Sequence, residues 1–372
     1  MDSFEKLKIL GQASKYDMCG CGRPNEDDYI KNGIYRVHTP DGICSIFKVL
    51  LTNKCHRDCA YCVNRFENNT ERTSFTPEEL AKVFMEVRRR HSIQGLFLSS
   101  AIDKNPDSDM SSLIDTAKIL RTRYNFKGYI HMKVMPGASR AAIEEASKVA
   151  NRLSLNIEVP SERYMERLTR AKRFGEILNG MSEIKRLKDK GIRVSQTTQF
   201  IVGAAGESDR EIVDEAYRLK REFNLARVYF SAFRPVEGTP MEGKEPTPLM
   251  REYRLYQVDF LFSQYGFKPE DLSYEKDGNL PMDKDPKYVF ALNHPEIYPV
   301  EINTADYNLL LLVPGIGPVS AKRILERRVK DPYHSIDELK GTGTVLKRAR
   351  PFITINGKSF TEENKPKQLS FI

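Results

Sequence analysis

The chain has 372 residues, 40% hydrophobic and 30% charged, with a formal net charge of +8. That length predicts roughly two to three domains, and no apolar run reaches the ~18 residues that a membrane-spanning helix requires. The N-terminus, MDSFEKLKIL, is charged and lacks the apolar core of a signal peptide, so a cytoplasmic, non-membrane protein is expected, and its basic balance permits a polyanionic partner.

Residues 1–42 read as a leader and hairpin. Cys19 and Cys21 form a C-x-C pair in a Gly-rich turn, and Cys44 follows on the first strand. Two readings stand: a second metal site from Cys19, Cys21 and Cys44 or His38, or free thiols with Cys44 as a small core residue. Ile34–His38 and Ile43–Leu51 flank Thr39-Pro40-Asp41-Gly42, which predicts a hairpin. The apolar Val49-Leu50-Leu51 ends at Thr52-Asn53, and Cys55, Cys59 and Cys62 follow at once. Six cysteines in all, three of them on one loop, fit a reducing compartment and metal use better than disulfides. Three thiolates on one loop can hold three corners of a four-iron cube and leave one iron open. The alternatives are a zinc site, which wants four ligands, or unpaired thiols. Tyr61, just before the last cysteine, could pack beside the cluster.

This C-x3-C-x-aromatic-C run after a first strand resembles the signature of the radical S-adenosylmethionine (SAM) superfamily. The resemblance implies a [4Fe–4S] cluster on Cys55, Cys59 and Cys62. It further implies that SAM is chelated at the open iron and cleaved reductively to a 5′-deoxyadenosyl radical.

Beyond the cluster loop, strands and helices alternate. A helix opens at Thr76-Pro77-Glu78-Glu79, with a hydroxyl N-cap and proline in the first turn, and runs to about His91. Strands are expected at 93–100, 128–134, 153–159, 192–202 and 226–232, with helices at 110–124, 140–150, 208–223 and 247–265 and one basic helical stretch at 162–190. Counted from residue 43, six strand–helix units predict a parallel sheet with right-handed crossovers. The fold class is therefore α/β: a partial (β/α)6 radical SAM barrel over residues 43–284, which is also what the resemblance implies. The active residues of such sheets lie at the C-terminal ends of strands.

The resemblance carries further candidates for SAM. Ser99 and Ser100 stand where the family usually has Gly-Gly-Glu. Asn156, Glu158 and Ser161 end the fourth strand as the family's polar ribose- or carboxylate-binding stretch does. Ile201 and Gly203, with Gly206, match the element that stacks on adenine. Arg167 and Lys172 are candidate cations for the methionine carboxylate. His131 and Lys133 share one face of the third strand, which points either inward or to solvent. Arg234 falls at the barrel mouth.

Residues 285–300 read as a Pro-rich linker, and 301–372 as a small all-α domain. Asn303 or Thr304 is expected to cap a short helix ending in the Leu-rich run, before the tight turn Pro314-Gly315-Ile316-Gly317-Pro318. This stretch resembles the helix-hairpin-helix motif of DNA repair and uptake proteins, in which glycine amides at a helix start hold a phosphate oxygen. Gly315, Ile316, Gly317, Lys322 and Arg323 are its candidate DNA contacts, and Gly341 and Gly343 mark a weaker second copy. From Gly315 to Arg350 nine Lys/Arg face four Asp/Glu, a balance of +5. Tandem hairpins of this kind grip phosphates without reading bases.

Together the two parts resemble the DNA modification or repair radical SAM proteins with a C-terminal helix-hairpin-helix region. The resemblance implies DNA, a uracil-DNA glycosylase-like protein, and an electron donor such as ferredoxin or flavodoxin as partners. Two alternatives remain at this point: a radical SAM enzyme acting on RNA or tRNA, and a non-catalytic iron–sulfur DNA-binding protein, which would want four cysteines on its cluster. No residue is assigned as the hydrogen-atom donor.

Overall fold

A computed structural model describes residues 1–14, 33–39 and 42–360, so Cys19 and Cys21 lie outside the described residues. The chain divides into two compact units, Met1–Glu252 and Tyr253–Ile372.

The first unit opens with α1 (Ser3–Ser14) and the antiparallel pair β1 (Ile34–Thr39) and β2 (Gly42–Leu50). Parallel strands and crossover helices follow: α2 (Pro77–His91), β3 (Gly95–Ser99), α3 (Pro106–Thr122), β4 (Tyr129–Lys133), α4 (Arg140–Val149) and β5 (Arg152–Ser154). Then come α5 (Glu162–Leu168), α6 (Phe174–Asp189), β6 (Ser195–Val202), α7 (Asp209–Glu222) and β7 (Arg227–Ala232). Helix α8 (Leu249–Gln264) carries the boundary between units. The sheet order is β1 to β7 in sequence, with β2 through β7 all parallel. Consecutive parallel strands curl in one direction, and the result is the expected half-barrel.

The strand sequences explain the two faces of this sheet. Phe47, Val49, Leu96, Leu98, Ile130, Met132 and Leu153 alternate along β2–β5 and are buried; they form the apolar face that crossover helices cover. Their neighbours Lys48, Phe97, His131 and Arg152 are partners in register across the same four strands. His131 and Lys133 therefore belong to the polar face, opposite the helix-packed one.

Helix starts follow local chemistry. Thr76 and Glu79 form a reciprocal capping box ahead of Pro77, and Ser208 and Glu211 form a second one. Two expected elements differ. The stretch 162–190 is two helices, interrupted at residues 169–173. The fourth strand stops at Ser154, and beyond it Glu158 holds a left-handed backbone (φ 64°) with one isolated bridge to Phe200.

The second unit contains α9 (Pro286–Asn293), β8 (Val300–Glu301), α10 (Tyr307–Leu312), α11 (Pro318–Arg328), a 3-10 turn at Ile336–Thr342, α12 (Leu346–Ala349), β9 (Ile353–Ile355) and β10 (Lys358–Ser359). To the expected helices it adds a three-stranded sheet in the order β10-β9-β8. The unit begins earlier than the expected boundary at 285, and residues 286–293 are helical rather than an irregular linker. Asp285 caps that helix by accepting from the Tyr288 N–H, and Pro286 starts it. The cap of α10 is Asp306, which accepts from the Leu309 N–H at 2.8 Å. Asn303, expected there, instead makes paired bonds with the Tyr333 backbone. The core is Ile302, Leu310, Val313, Ile316, Ala321, Ile324 and the fully buried Tyr333.

Candidate functional site

The cysteine loop leaves the C-terminal end of β2, where a barrel of this kind gathers its active residues. Its entry and exit are tied together. The Leu51 N–H donates to Ser99 O at 2.8 Å, and the Ala101 N–H to Thr52 O at 3.0 Å. The buried Asn53 amide spans the loop base, donating to Glu71 O at 2.7 Å and accepting from the Thr73 N–H at 2.8 Å. Arg72 donates to four carbonyls: Asn53 at 2.6 Å, Asn64 at 2.8 Å, Arg65 at 2.6 Å and Asn68 at 3.1 Å. Those carbonyls flank both ends of the run that holds Cys55, Cys59 and Cys62.

The middle of the loop docks on the break between α5 and α6. Asp58 accepts from the Thr169 hydroxyl and, at 3.0 Å, from the Arg170 N–H. The Ala60 N–H donates to Leu168 O at 2.8 Å, and Arg57 donates to Ala171 O. Burial alone would raise the Asp58 carboxyl, but the Thr169 hydroxyl and backbone amides outweigh it and hold its pKa below the usual range. The helical stretch is broken because residues 168–171 give their backbone groups to this loop.

Tyr61 brings the loop to the end of β5. Its hydroxyl donates to Glu158 Oε1 at 2.9 Å, and Lys172 Nζ lies 2.8 Å from both oxygens. Burial and the adjacent Glu158 push the Tyr61 phenol far up. For Lys172, burial opposes the charge, but Glu158 and Cys59 more than offset it and the ammonium is held above its ordinary range. Without a cluster, burial and the neighbouring Cys59 push the Cys62 thiol up to about 12; metal coordination reverses that balance. Cys44 lies apart on β2, half-buried, with its thiol raised by burial.

The remaining candidates fall around this arrangement. Asn156 donates weakly to Gln199 at 3.4 Å, and the Ile201 N–H donates to Glu158 O at 2.8 Å. Arg167 donates to Ala205 O at 2.8 Å and borders Gly206. The turn Gly203–Gly206 is closed by the buried Glu207, which accepts from the Gly203 and Ala205 amides. A Cβ on Gly203 would lie 2.2 Å from Thr247 Oγ1. Thr247 thus fills the side of the backbone where a side chain at this position would stand. Lys133 ends β4, and Arg234 follows β7 as an exposed residue.

Several buried oxygens near the loop have no hydrogen-bond partner; on the candidate SAM residues they are Ser100 Oγ, Glu158 Oε2 and Ser161 Oγ, and on the loop itself Asn64 Oδ1, Asn68 Oδ1 and Thr70 Oγ1. Buried polar atoms are normally satisfied, and the strained backbone of Glu158 also marks functional sites. Among the described residues no three His, Cys, Asp or Glu side chains converge as around a single metal ion. Three soft thiolates and a fringe of unused oxygens fit an iron–sulfur cube with a polar organic ligand.

Residues 49–217 match the sequence model of the radical SAM superfamily, and residues 296–346 that of the helix-hairpin-helix motif. This chain carries a radical SAM domain. Its cofactors are a [4Fe–4S] cluster and SAM. A tRNA-2-methylthio-N(6)-dimethylallyladenosine synthase of Chlorobium limicola is 27% identical over 49% of this chain and 41% of its own length. A synthase of the same name from Photobacterium profundum is 23% identical over 59% of this chain and 47% of its own. The chain thus spans less than half the length of these two relatives. Among solved structures, methylornithine synthase aligns with a TM-score of 0.50 at 17% identity, covering 70% of this chain and 69% of that one; it shares the fold.

In the second unit, Gly315 (φ 88°) is held tightly: a Cβ there would lie 2.5 Å from Val345 O. Ile316 is a core residue, 1% exposed, and its carbonyl accepts from the buried Lys287 at 2.6 Å. Gly317 caps α11, Lys322 is exposed, and Arg323 donates to Thr342 O at 3.3 Å. Gly341 and Gly343 are exposed, the latter with φ 86°. Two further cations of the same helix are engaged internally: Arg327 with Glu338, and Arg328 with the Ile302 and Ala305 carbonyls. Among the described residues no helix is long and apolar enough to cross a membrane.

Proposed function

We propose that this chain is a radical SAM enzyme that modifies or repairs a nucleotide in DNA, with its hairpin unit holding the duplex. The observation that carries the reading is the cysteine loop at the C-terminal sheet edge, beside the buried, unpartnered oxygens of Ser100, Glu158 and Ser161, in a chain that also has a helix-hairpin-helix motif. When bound, the cluster and SAM supply a carbon radical that takes a hydrogen atom from substrate.

Cys55, Cys59 and Cys62 would hold the cluster. Glu158 Oε2 and Ser161 Oγ would bind SAM's ribose hydroxyls or amino group, and Ser100 Oγ with the end of β3 at Ser99 its methionine part. Lys172 and Tyr61 fix Glu158 Oε1, so that only its second oxygen is left to bind. Arg167 and Asn156 would border the ligand, and Ile201 would pack on adenine. The polar face with His131 would receive the substrate. Gly315, Gly317, Gly341 and Gly343 would approach phosphates, with Lys322 and Arg323 adding charge. A uracil-DNA glycosylase-like protein and a ferredoxin or flavodoxin are the partners this reading implies.

The test is anaerobic reconstitution with reductant and SAM. Formation of 5′-deoxyadenosine is expected in the wild type and absent in Cys55→Ala, Cys59→Ala and Cys62→Ala. Cleavage that persists in the variants would refute the cluster assignment. A second reading, action on RNA, is favoured by the tRNA-directed relatives. Incubation with damaged DNA oligomers and, in parallel, bulk tRNA, followed by mass spectrometry, separates the two by which polymer gains the product.

A further inference from the structure

The second unit repeats a short pattern. Gly315-Ile316-Gly317-Pro318-Val319 and Gly341-Thr342-Gly343-Thr344-Val345 both read G-x-G-x-V. In each copy the residue between the glycines is buried, Ile316 at 1% and Thr342 at 4% exposure. In each copy the valine is out in water, Val319 at 61% and Val345 at 52%. The copies adjoin. The Val345 N–H donates to Gly315 O at 2.9 Å, and a Cβ on Gly343 would lie 3.5 Å from Ser320 Oγ. Other apolar side chains of the unit are exposed as well, Val329 at 85% among them; what sets Val319 and Val345 apart is that they hold the same place in two adjoining copies of one pattern. The exposed cations that neighbour them in sequence are Lys322, Arg323, Lys340, Lys347 and Arg350.

We infer that Val319 and Val345 are sugar-contacting residues that select duplex DNA over RNA. The inference rests on the reading that the hairpins hold nucleic acid, and deepens it. Glycine turns let the protein backbone come close to a phosphate chain, and the flanking lysines complement its charge. The side chain beside such a turn then meets the neighbouring sugar. A deoxyribose presents CH2, which a valine methyl covers without loss. A ribose presents its 2′-hydroxyl, displayed across the minor groove of A-form RNA. Covering that hydroxyl with a methyl strips its water and gives nothing back. Two equivalent valines impose that penalty at two places.

The test is fluorescence anisotropy on the full chain at fixed salt, with duplex DNA, duplex RNA of the same sequence, and tRNA. Wild type should prefer DNA by about ten-fold or more, the equivalent of one uncompensated hydroxyl. The double variant Val319→Thr/Val345→Thr places a hydroxyl where a methyl stood, at exposed positions that thermal melts will show to be tolerated. It should tighten RNA and narrow the ratio. Lys322→Ala/Lys347→Ala should weaken all three ligands and leave the ratio unchanged. Equal binding of DNA and RNA by the wild type, a preference for tRNA, or an unaltered ratio in the threonine variant would each overturn the inference while leaving a nucleic-acid-binding tail intact. Absence of binding to all three ligands would remove the tail reading as well.

Discussion

Lys172 Nζ and Glu158 Oε1 lie 2.8 Å apart, with side chains only 12% and 5% exposed. A buried ion pair is a weak source of net stability, but removing one partner strands the other charge in a dry place at about 3–5 kcal/mol. Lys172→Met should therefore lower the melting temperature clearly, and so should Glu158→Gln. The double variant should lose less than the sum, since no charge is left unpaired. Additive losses in denaturant titrations would mean the two groups do not act as a pair. SAM affinity should fall in both single variants, because Glu158 Oε2 is aimed only when Oε1 is held.

Arg72 ties the carbonyls on both sides of the cysteine run through four hydrogen bonds. Groups that orient metal ligands typically change metal retention by about 10–100-fold when removed. Arg72→Ala should reconstitute with less iron and lose it faster in air, while far-UV circular dichroism stays near wild type. Arg72→Lys, which keeps the charge but not the planar fork, should recover little. Full iron content and an unchanged reduced-cluster spectrum in Arg72→Ala would show that the loop holds its own shape.

Much of this arrangement was legible in the sequence, and what was not has identifiable causes. The alternation of strands and helices could be read because parallel strands buried on both faces give short apolar runs, such as Leu96-Phe97-Leu98, between capped helices. The caps at Thr76 and Ser208 are local chemistry. The break at 169–173 carries neither proline nor glycine; it exists because Asp58, far away in sequence, takes the Thr169 hydroxyl and the Arg170 amide. Arg72 has no spacing that announces it. The side of the sheet on which His131 falls follows from register with Phe97 and Lys48, and one strand alone cannot supply that. The exposed valines were hidden by a pattern that looked like glycine chemistry.

Lys287 is buried, with its Nζ 2.6 Å from Ile316 O and 4.5 Å from the Tyr265 ring centroid. Burial, with help from nearby Arg348 and against Asp285, lowers its pKa to about 7. The sign follows directly. Unfolded, the amine stays protonated up to about pH 10; folded, it gives up its proton near 7. Between those limits the unfolded state binds more protons, so stability rises with pH, and below about 7 the full penalty of a buried ammonium is present. Lys287→Met should therefore gain more stability at pH 6 than at pH 9.5 relative to wild type. A difference between the two proteins that does not change with pH would place the charge elsewhere.

Gly315 and Gly341 occupy the same place in the two pattern copies, yet they should respond oppositely to a methyl group. At Gly315 the backbone is left-handed and a Cβ would lie 2.5 Å from the Val345 carbonyl and 3.1 Å from Arg348 Cβ. Both terms oppose alanine, and Gly315→Ala should lose about 2–4 kcal/mol of stability. At Gly341 nothing lies within 4 Å of the added carbon, so Gly341→Ala should melt within a degree or two of wild type, about the effect of an ordinary surface change. Any loss of nucleic-acid affinity in Gly341→Ala then reports crowding of the phosphate approach rather than unfolding. The two glycines are thereby separated: Gly315 joins the copies, and nothing within the unit crowds a side chain at Gly341.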